Sequence, residues 1–191
     1  GHATRVFNQR FDTAKGFTDF AELAQPGRSI GEVLLAEVLI ARGEPAAAAE
    51  LLAPAAAILD RTGYSWGPLS LTYLATALAQ QGEIAESAKM LSRAESRHGT
   101  KSALFAPELA VARAWRLATI GDRHGAIDAA RDGARMAERT GQYAIAVRAW
   151  HEAAKLGDAR AADGMSKIAP AAECEYTRMA LEHARALAAG K

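Results

Sequence analysis

The segment LATALAQQGEIAESAKMLSRA, which runs from Leu74 to Ala94, is the middle one of three related stretches in this 191-residue chain. Its central glycine, Gly82, lies 39 residues after Gly43 and 39 residues before Gly121. A period of roughly 20 to 50 residues is typical of proteins in which similar structural units stack on their neighbours. The spacing therefore predicts a repeat architecture.

Each repeat has the pattern of two helices joined at the glycine. Apolar residues recur at the 3.6-residue helical period, for example at Ala48, Leu52 and Ala55 after Gly43. Pro45 suits the first turn of the second helix, where its missing N–H does no harm. Half of the residues are hydrophobic and only 6% are aromatic, and the richness in Ala and Leu favours packed helices over sheets. We expect an all-α fold.

Turn and capping signals divide the chain into units. Residues 1–28 do not fit the period and hold four of the five phenylalanines, Phe7, Phe11, Phe17 and Phe20, which predicts an N-terminal helical cap. Four helix pairs are expected at 29–67, 68–106, 107–141 and 142–170, followed at 171–191 by a terminal helix that is either a cap or the first half of a truncated fifth repeat. The expected helices begin and end near 30–41, 45–61, 68–81, 83–97, 107–120, 123–140, 142–156, 158–169 and 172–189.

Local signals refine three of these helices. Ser29 and Glu32 have the spacing of a capping box, which would open the first repeat. Asp122 is placed to cap the helix that follows Gly121. Pro54 lies inside the second helix, where we expect a kink because proline removes one backbone hydrogen bond.

Small residues recur at fixed distances from the turn glycines, where two helix backbones would approach closely. This pattern resembles the tetratricopeptide repeat, although the spacing here is 39 residues instead of about 34, and Leu stands four residues before the glycine where that family has Tyr. The resemblance implies a right-handed superhelical array whose concave groove is lined by the first helix of each pair. The small residues are Ala36, Ala75 and Ala114, seven positions before Gly43, Gly82 and Gly121, and Ala48, Ser87, Ala126 and Ala162, five positions after these three glycines and after Gly157, the turn glycine of the fourth pair.

The same resemblance implies which side chains face the groove. They lie ten and six residues before each turn glycine and mix apolar with polar character. Trp115 and Trp150 have two interpretations, as anchors for a bound partner or as core residues, and His151 is expected to be a partly exposed polar residue. The candidate groove residues are Val33, Glu37, Thr72, Thr76, Val111, Trp115, Val147 and His151.

The ending EYTRMALEHARALAAG, residues 175–190, and the Ala- and Arg-rich repeats near 40 residues are similar to a larger family. They resemble the helical-repeat region of large bacterial, actinobacterial LuxR-type transcription regulators related to the maltose regulator. This resemblance implies a non-catalytic region that binds a protein, a peptide or a small effector, with an ATPase domain before it and a helix-turn-helix domain after it. The alternative is a stand-alone scaffold or adaptor that docks peptide segments.

No motif for catalysis or cofactor binding occurs in the chain. The sequences GxxxxGK[ST], GxGxxG after a strand, and GxSxG are all missing. The five histidines include no pair four residues apart that could aim two imidazoles at one metal ion. The single cysteine, Cys174, excludes an intramolecular disulfide. We therefore expect no enzyme activity, no cofactor and no metal ion.

Charge and hydropathy limit the partners. The formal net charge of +1 argues against nucleic-acid binding by this segment. No apolar run approaches the roughly 18 residues that span a bilayer, so we expect a soluble, cytoplasmic protein. Glu152 and Lys155 have the spacing of a solvated surface pair worth about 0.2–0.5 kcal/mol, and Arg131, Arg135 and Arg139 are expected on a solvent-facing helix surface.

Overall fold

The computed structural model of the protein describes residues 27–190, which form nine α-helices and two short 3-10 helices and contain no strand. The expected N-terminal cap, with its four phenylalanines, lies outside these residues except for its last two positions. The α-helices are α1 Gly27–Ala41, α2 Pro45–Leu59, α3 Trp66–Gln80, α4 Ile84–Arg97, α5 Ala106–Thr119, α6 Arg123–Arg139, α7 Tyr143–Lys155, α8 Ala161–Ile168 and α9 Glu175–Ala188, and the 3-10 helices are Thr100–Phe105 and Ala169–Ala172.

The described residues form two compact units, 27–105 and 106–190. In the first unit, α1 packs on α2, α2 on α3 and α3 on α4, and α1 also contacts α3. In the second unit, α5 to α8 pack in the same consecutive manner, while α7 also contacts both α5 and α9. The expected all-α fold of tetratricopeptide-like helix pairs is therefore confirmed, and the repeat boundaries stay predictions.

The turn glycines work as the spacing predicts. Gly43, Gly82 and Gly121 have φ values of 79°, 82° and 82°, in the left-handed region that residues with a Cβ rarely adopt. After Gly82, the backbone N–H of Glu83 donates to the carbonyl of Leu78 at 2.9 Å, which closes a Schellman motif. The same bond follows Gly43 and Gly121. Each turn thus reverses the chain within three residues and sets the two helices side by side.

The small residues lie where the helices of a pair touch. Ala75 and Ser87 are fully buried, and the Ser87 hydroxyl donates to the Ala75 carbonyl at 2.9 Å, so α3 and α4 meet at the predicted positions. On α6, a Cβ added to Gly133 would lie 2.9 Å from the carbonyl oxygen of Pro107 on α5. Larger side chains at these positions would push the paired helices apart.

The first repeat begins differently from the prediction. Ser29 does not cap a helix, because α1 already includes Gly27 and Arg28, and Ser29 is buried as the third residue of this helix. Glu32 accepts a hydrogen bond from the Arg28 Nε at 3.1 Å instead of closing a capping box. This ion pair at i, i+4 spacing and the burial of Ser29 both favour helix at these positions. Helix α2 continues through Pro54 to Leu59.

The fourth pair also differs from the prediction, whereas the third agrees with it. Asp122 caps α6, as expected, by accepting from the backbone N–H of Gly125 at 2.9 Å. Helix α8 begins at Ala161 rather than at Asp158, whose carboxylate instead accepts from the backbone N–H of Arg160 at 2.9 Å. Helix α8 ends at Ile168, and Pro170 lies in the first turn of the 3-10 helix that follows it. Helix α9 begins at Glu175 and not near 172.

Candidate functional site

The second unit carries a set of polar side chains on α5 and α7, each the first helix of a predicted pair, and on the terminal helix α9. Helix α7 lies between α5 and α9 and packs on both. One face of α7 is apolar and fully buried, with Ala146, Val147 and Ala153 in the core of the unit. Adjacent positions on the same helix carry His151, Glu152 and Lys155, which reach toward α5 and α9. We call the side chains of Trp115, His151, Glu152, Lys155, Tyr176 and His183 the polar network.

The α5 side of the polar network is built around Glu152. The Trp115 Nε1–H donates to Glu152 Oε2 at 2.8 Å, and the Lys155 ammonium lies 2.6 Å from Glu152 Oε1. The same ammonium lies 5.8 Å from the centre of the Trp115 ring, within the range of a cation–π interaction. The carboxylate thus fixes both the indole and the ammonium, and the orientation of the half-buried Trp115 is defined from two sides.

Glu152 and Lys155 are not the solvated surface pair that their spacing predicts. The Glu152 side chain is only 9% exposed, and the Lys155 side chain is 26% exposed. A carboxylate at this depth requires partners because burial penalises an unpaired charge. Removing Lys155 or Trp115 would therefore cost more than the loss of an exposed helical ion pair, which is typically about 0.3–0.5 kcal/mol.

The α9 side of the polar network is built around His151. Its Nδ1 lies 3.0 Å from the Tyr176 hydroxyl, and its Nε2 lies 2.8 Å from His183 Nδ1. Two proton arrangements satisfy all three groups. In one, the tyrosine hydroxyl donates to His151, which donates to His183; in the other, both bonds run in the opposite direction. Either way, His151 connects α7 to α9 through both of its ring nitrogens.

His151 is buried rather than partly exposed, which corrects the sequence prediction: only 5% of the residue is exposed. Burial, the positive charge of Lys155 and the neighbouring His183 lower the pKa of His151 to about 4, whereas Glu152 acts in the opposite direction. The imidazole is therefore neutral near neutral pH and can accept as well as donate a hydrogen bond. A neutral buried imidazole suits a fixed polar contact between two helices.

The two remaining candidates in the second unit and the second tryptophan belong to packing. Val147 is fully buried in the core cluster, and Val111 is partly buried against it. Trp150 is 8% exposed, packs in the same cluster, and donates from Nε1 to Glu138 Oε1 at 2.6 Å. Trp150 is therefore a core residue, while Trp115 combines packing with partial exposure.

The first unit contains the other four candidate groove residues, all of them buried. Val33 and Glu37 lie on α1, and Thr72 and Thr76 lie on α3. The Thr72 hydroxyl donates to the Pro68 carbonyl at 2.8 Å, and the Thr76 hydroxyl donates to the Thr72 carbonyl at 3.1 Å. Both hydroxyl protons are therefore bound within α3. The assignment of these four residues to a groove stays a prediction.

Arg131 is also placed differently from the sequence prediction. Its guanidinium binds the Asp158 carboxylate through two hydrogen bonds, Nε to Oδ2 at 2.7 Å and Nη2 to Oδ1 at 2.6 Å. The Arg131 side chain is 15% exposed and that of Asp158 is 2% exposed. Burial raises the pKa of Asp158, but the bonds from Arg131 and from the Arg160 N–H outweigh it, so the net pKa is lowered. This pair ties α6 to the turn before α8.

A similar tie joins the second helices of the first unit. The Asp60 carboxylate, at the end of α2, lies 2.6 Å from Arg93 Nη2 and 3.3 Å from Arg97 Nε on α4. The group borders a cleft of about 410 Å³ whose rim includes the exposed Tyr64. Asp60 is thus paired by two cations and joins the end of α2 to α4.

Residues 27–190 contain no group of three or more His, Cys, Asp or Glu side chains arranged to hold a metal ion. Within the same range, no helix is both long enough and apolar enough to cross a membrane.

The polar network contains four residues that were not candidates from the sequence: Glu152, Lys155, Tyr176 and His183. Trp115 and His151 were candidates by their position before the turn glycine. Glu152 and Lys155 were visible only as an ion pair within one helix, and the two residues on α9 carried no signal because their partner lies 25 to 32 residues away. In the sequence, only the polar residues Glu152 and Lys155, which follow His151, indicated that polar contacts form at this place.

No protein-family model matches the sequence, and no curated protein matches it. Among solved structures, the chain is similar to a Podosopora anserina putative kinesin light chain with nearly identical TPR-like repeats. The crystal structure of a point variant of that protein is 19% identical, with a TM-score of 0.44, over 100% of this chain and 88% of that chain. A second crystal structure is 18% identical, with a TM-score of 0.43, over 99% of this chain and 97% of that chain.

Proposed function

We propose that this chain is a protein-interaction domain that binds a peptide segment of its partner against the polar network of the second unit. The observation that supports this proposal is the half-buried indole of Trp115, which Glu152 and Lys155 hold in one orientation from the neighbouring helix. Tryptophan is among the residues that contribute most to the free energy of binding at protein interfaces. A large side chain that is already ordered before binding loses little conformational entropy on association.

The chemistry around Trp115 indicates the kind of segment that would bind. The ring offers apolar area, and the ammonium of Lys155 is balanced by Glu152, so the surface next to the ring carries no net charge. A matching segment presents an apolar or aromatic side chain to Trp115 and a carbonyl or carboxylate oxygen to Lys155. Such a segment gains both burial and a charge-assisted hydrogen bond.

Peptide display against the folded protein tests this proposal. Peptides are selected on the wild-type chain, and their affinities for Trp115→Ala and Tyr143→Ala are then measured by calorimetry. Tyr143 is the matched control, since it is an exposed aromatic residue at the start of α7 and lies outside the polar network. We expect Trp115→Ala to weaken binding by more than 1 kcal/mol, and Tyr143→Ala to leave the affinity unchanged.

Helical content, measured by circular dichroism, must be unchanged in Trp115→Ala for this result to count. If the variant loses its helices, Trp115 is part of the core and the assignment to a binding surface is wrong. Equal affinities for the wild type and a folded Trp115→Ala variant would likewise exclude this surface.

We further propose, from the resemblance of residues 30–190, that this domain belongs to a multidomain transcription regulator of the LuxR type in the bacterial cytoplasm. Binding of a partner or effector would then bias an ATPase domain and a helix-turn-helix domain in the same polypeptide. The sequence of the complete reading frame tests this directly: a P-loop motif upstream and a helix-turn-helix downstream are expected. If both are missing, the stand-alone scaffold that docks peptide segments takes its place.

Binding of a small effector, as opposed to a peptide, is tested by a separate experiment. A thermal-shift screen against metabolites detects any ligand that binds the native state better than the unfolded chain, because such binding raises the apparent stability by mass action. A stabilising metabolite whose effect survives in Trp115→Ala would show that its binding does not depend on Trp115.

A further inference from the structure

Two imidazoles from different helices meet nitrogen to nitrogen in the second unit. His151 Nε2 on α7 lies 2.8 Å from His183 Nδ1 on α9, and the ring planes are inclined by 77°. The two residues are 32 positions apart in the sequence, so no helical spacing rule could pair them. One proton lies between the two nitrogens, and the lone pair of the second nitrogen accepts it.

This arrangement is close to that of two histidine ligands on one metal ion. Zinc binds imidazole nitrogen at about 2.0–2.1 Å in tetrahedral geometry, which places two ligand nitrogens about 3.3 Å apart. To admit the ion, the observed separation of 2.8 Å has to increase by about half an ångström, and both rings have to turn so that their lone pairs converge on the ion instead of lying along the line between the two nitrogens. With His183 as the donor, its proton moves by exchange with solvent from Nδ1 to Nε2, so that both imidazoles bind the ion as neutral ligands and no proton is released overall.

Tyr176 supplies the support that metal-binding histidines normally have. A ligating histidine usually donates its second ring N–H to a fixed acceptor, which sets the tautomer and the ring orientation. The Tyr176 hydroxyl lies 3.0 Å from His151 Nδ1, on the side of the ring opposite His183. With Nδ1–H donating to Tyr176, the lone pair of Nε2 points toward His183.

An ion can reach the two nitrogens from solvent. His183 is an exposed residue, although His151 is buried. The nearby charges balance, since Lys155 is paired with Glu152 at 2.6 Å. The described residues offer no third histidine, cysteine or carboxylate in a ligating arrangement, so water molecules would complete the coordination.

We infer that His151 and His183 form a binding site for a divalent transition-metal ion such as Zn²⁺, with Tyr176 orienting His151 and water filling the remaining positions. A bound ion would join α9 to α7 at this point. This inference departs from the sequence expectation of no metal ion, and it does not depend on the proposed peptide surface.

Zinc titration of the whole chain tests the inference. All proteins carry His2→Ala, because the His2 imidazole is another possible ligand of the ion. ZnCl₂ binding is measured by calorimetry, and the unfolding temperature is measured at each zinc concentration. We expect one ion per chain and a rising unfolding temperature as the native state takes up the ion.

Three variants decide whether the ion is bound at the inferred place. His183→Gln should weaken binding at least tenfold, since one of two protein ligands is lost. Tyr176→Phe should weaken it about tenfold, which is the lower end of the range for a residue that orients a ligand. His124→Gln, which removes an exposed histidine elsewhere in the second unit, should leave binding unchanged.

Circular dichroism must show that His183→Gln is folded before its zinc affinity is compared with that of the parent protein. We expect this variant to fold, because His183 is exposed. If this variant unfolds, Tyr176→Phe and His151→Gln provide the same comparison. Unchanged zinc affinity in the folded ligand variants would overturn the inference, and so would the absence of any binding to the parent protein at millimolar zinc.

Discussion

Acidification from pH 7 to pH 4 should destabilise the second unit through His151. Its pKa in the folded protein is lowered to about 4, first by burial and then by Lys155, from an ordinary value of 6.5. As the pH falls below 6.5, the unfolded chain binds a proton at this residue, whereas the folded chain does not until about pH 4. The stability contribution of the neutral His151 is therefore complete above pH 6.5 and is lost between 6.5 and 4.

The size of this effect follows from the pKa difference. One pKa unit corresponds to about 1.4 kcal/mol. The displacement from 6.5 to about 4 therefore corresponds to a loss of about 3 kcal/mol in the free energy of unfolding. Asp158, whose pKa is also lowered, loses its contribution only as the pH falls below its ordinary value of 3.8, so the two effects occupy separate pH ranges.

Urea unfolding between pH 7.5 and pH 4.2 measures the effect in wild type, His151→Gln and His124→Gln. EDTA is present throughout, so that no bound metal ion contributes. The wild type and the exposed-site control His124→Gln should lose stability with a slope approaching about 1.4 kcal/mol per pH unit beyond that of His151→Gln, in which the titrating group is missing. The ring-proton shift of His151, followed by NMR, should report the pKa directly.

Parallel pH profiles for the wild type and His151→Gln would refute this reasoning, provided that both proteins are folded at pH 7.5. An NMR titration midpoint near 6.5 would refute it as well. In that case the imidazole would be hydrated in solution, and the contacts with Tyr176 and His183 would not persist.

Two further predictions concern stability. Gly82→Ala should destabilise the protein by about 1–2 kcal/mol in chemical unfolding, because the backbone φ of Gly82 is 82°. Gly99→Ala is the control: a Cβ at Gly99 meets no atom within 4 Å, as at Gly82, but Gly99 has no positive φ, so its loss of stability should be far smaller. Equal losses in the two variants would argue against the backbone explanation. Arg131→Met should lower the free energy of unfolding by about 2–4 kcal/mol, because it leaves the buried Asp158 carboxylate without its cation. Arg135→Met removes an exposed ion pair and should change the free energy of unfolding by no more than about 0.5 kcal/mol. A similar loss in both variants would contradict the special role of Arg131.

The turns show how far local sequence can determine a fold. A residue with positive φ is needed to end a helix in a Schellman motif, and only glycine meets this need without strain. Gly43, Gly82 and Gly121 therefore mark their turns in any chain context, and Asp122 marks a helix start for a similar local reason. The small residues Ala75 and Ser87 follow from these turns, because two antiparallel helices with a fixed turn meet at fixed positions.

The predicted helix starts were wrong where tertiary packing outweighed a local capping or helix preference. Ser29 has the spacing of a cap, but the packed face of α1 extends past it. Asp158 was expected inside a helix, but its carboxylate binds Arg131, 27 residues earlier, and the helix begins after it. In both cases the tertiary contact outweighs a local preference of about 1 kcal/mol or less.

The sequence alone determined the all-α class, the helix pairs and most of their turns, since these depend on composition, helical period and the conformational freedom of glycine. It also nominated Trp115 and His151 by their distance from a turn. Only the tertiary structure decided that Glu152 is buried beneath Trp115 and that His151 meets His183. Helical periodicity states which residues share one face of one helix. Helical periodicity does not state which side chain of another helix lies opposite a given residue. Hydrogen bonds, ion pairs and metal sites between helices need both partners, so only the tertiary structure reveals them.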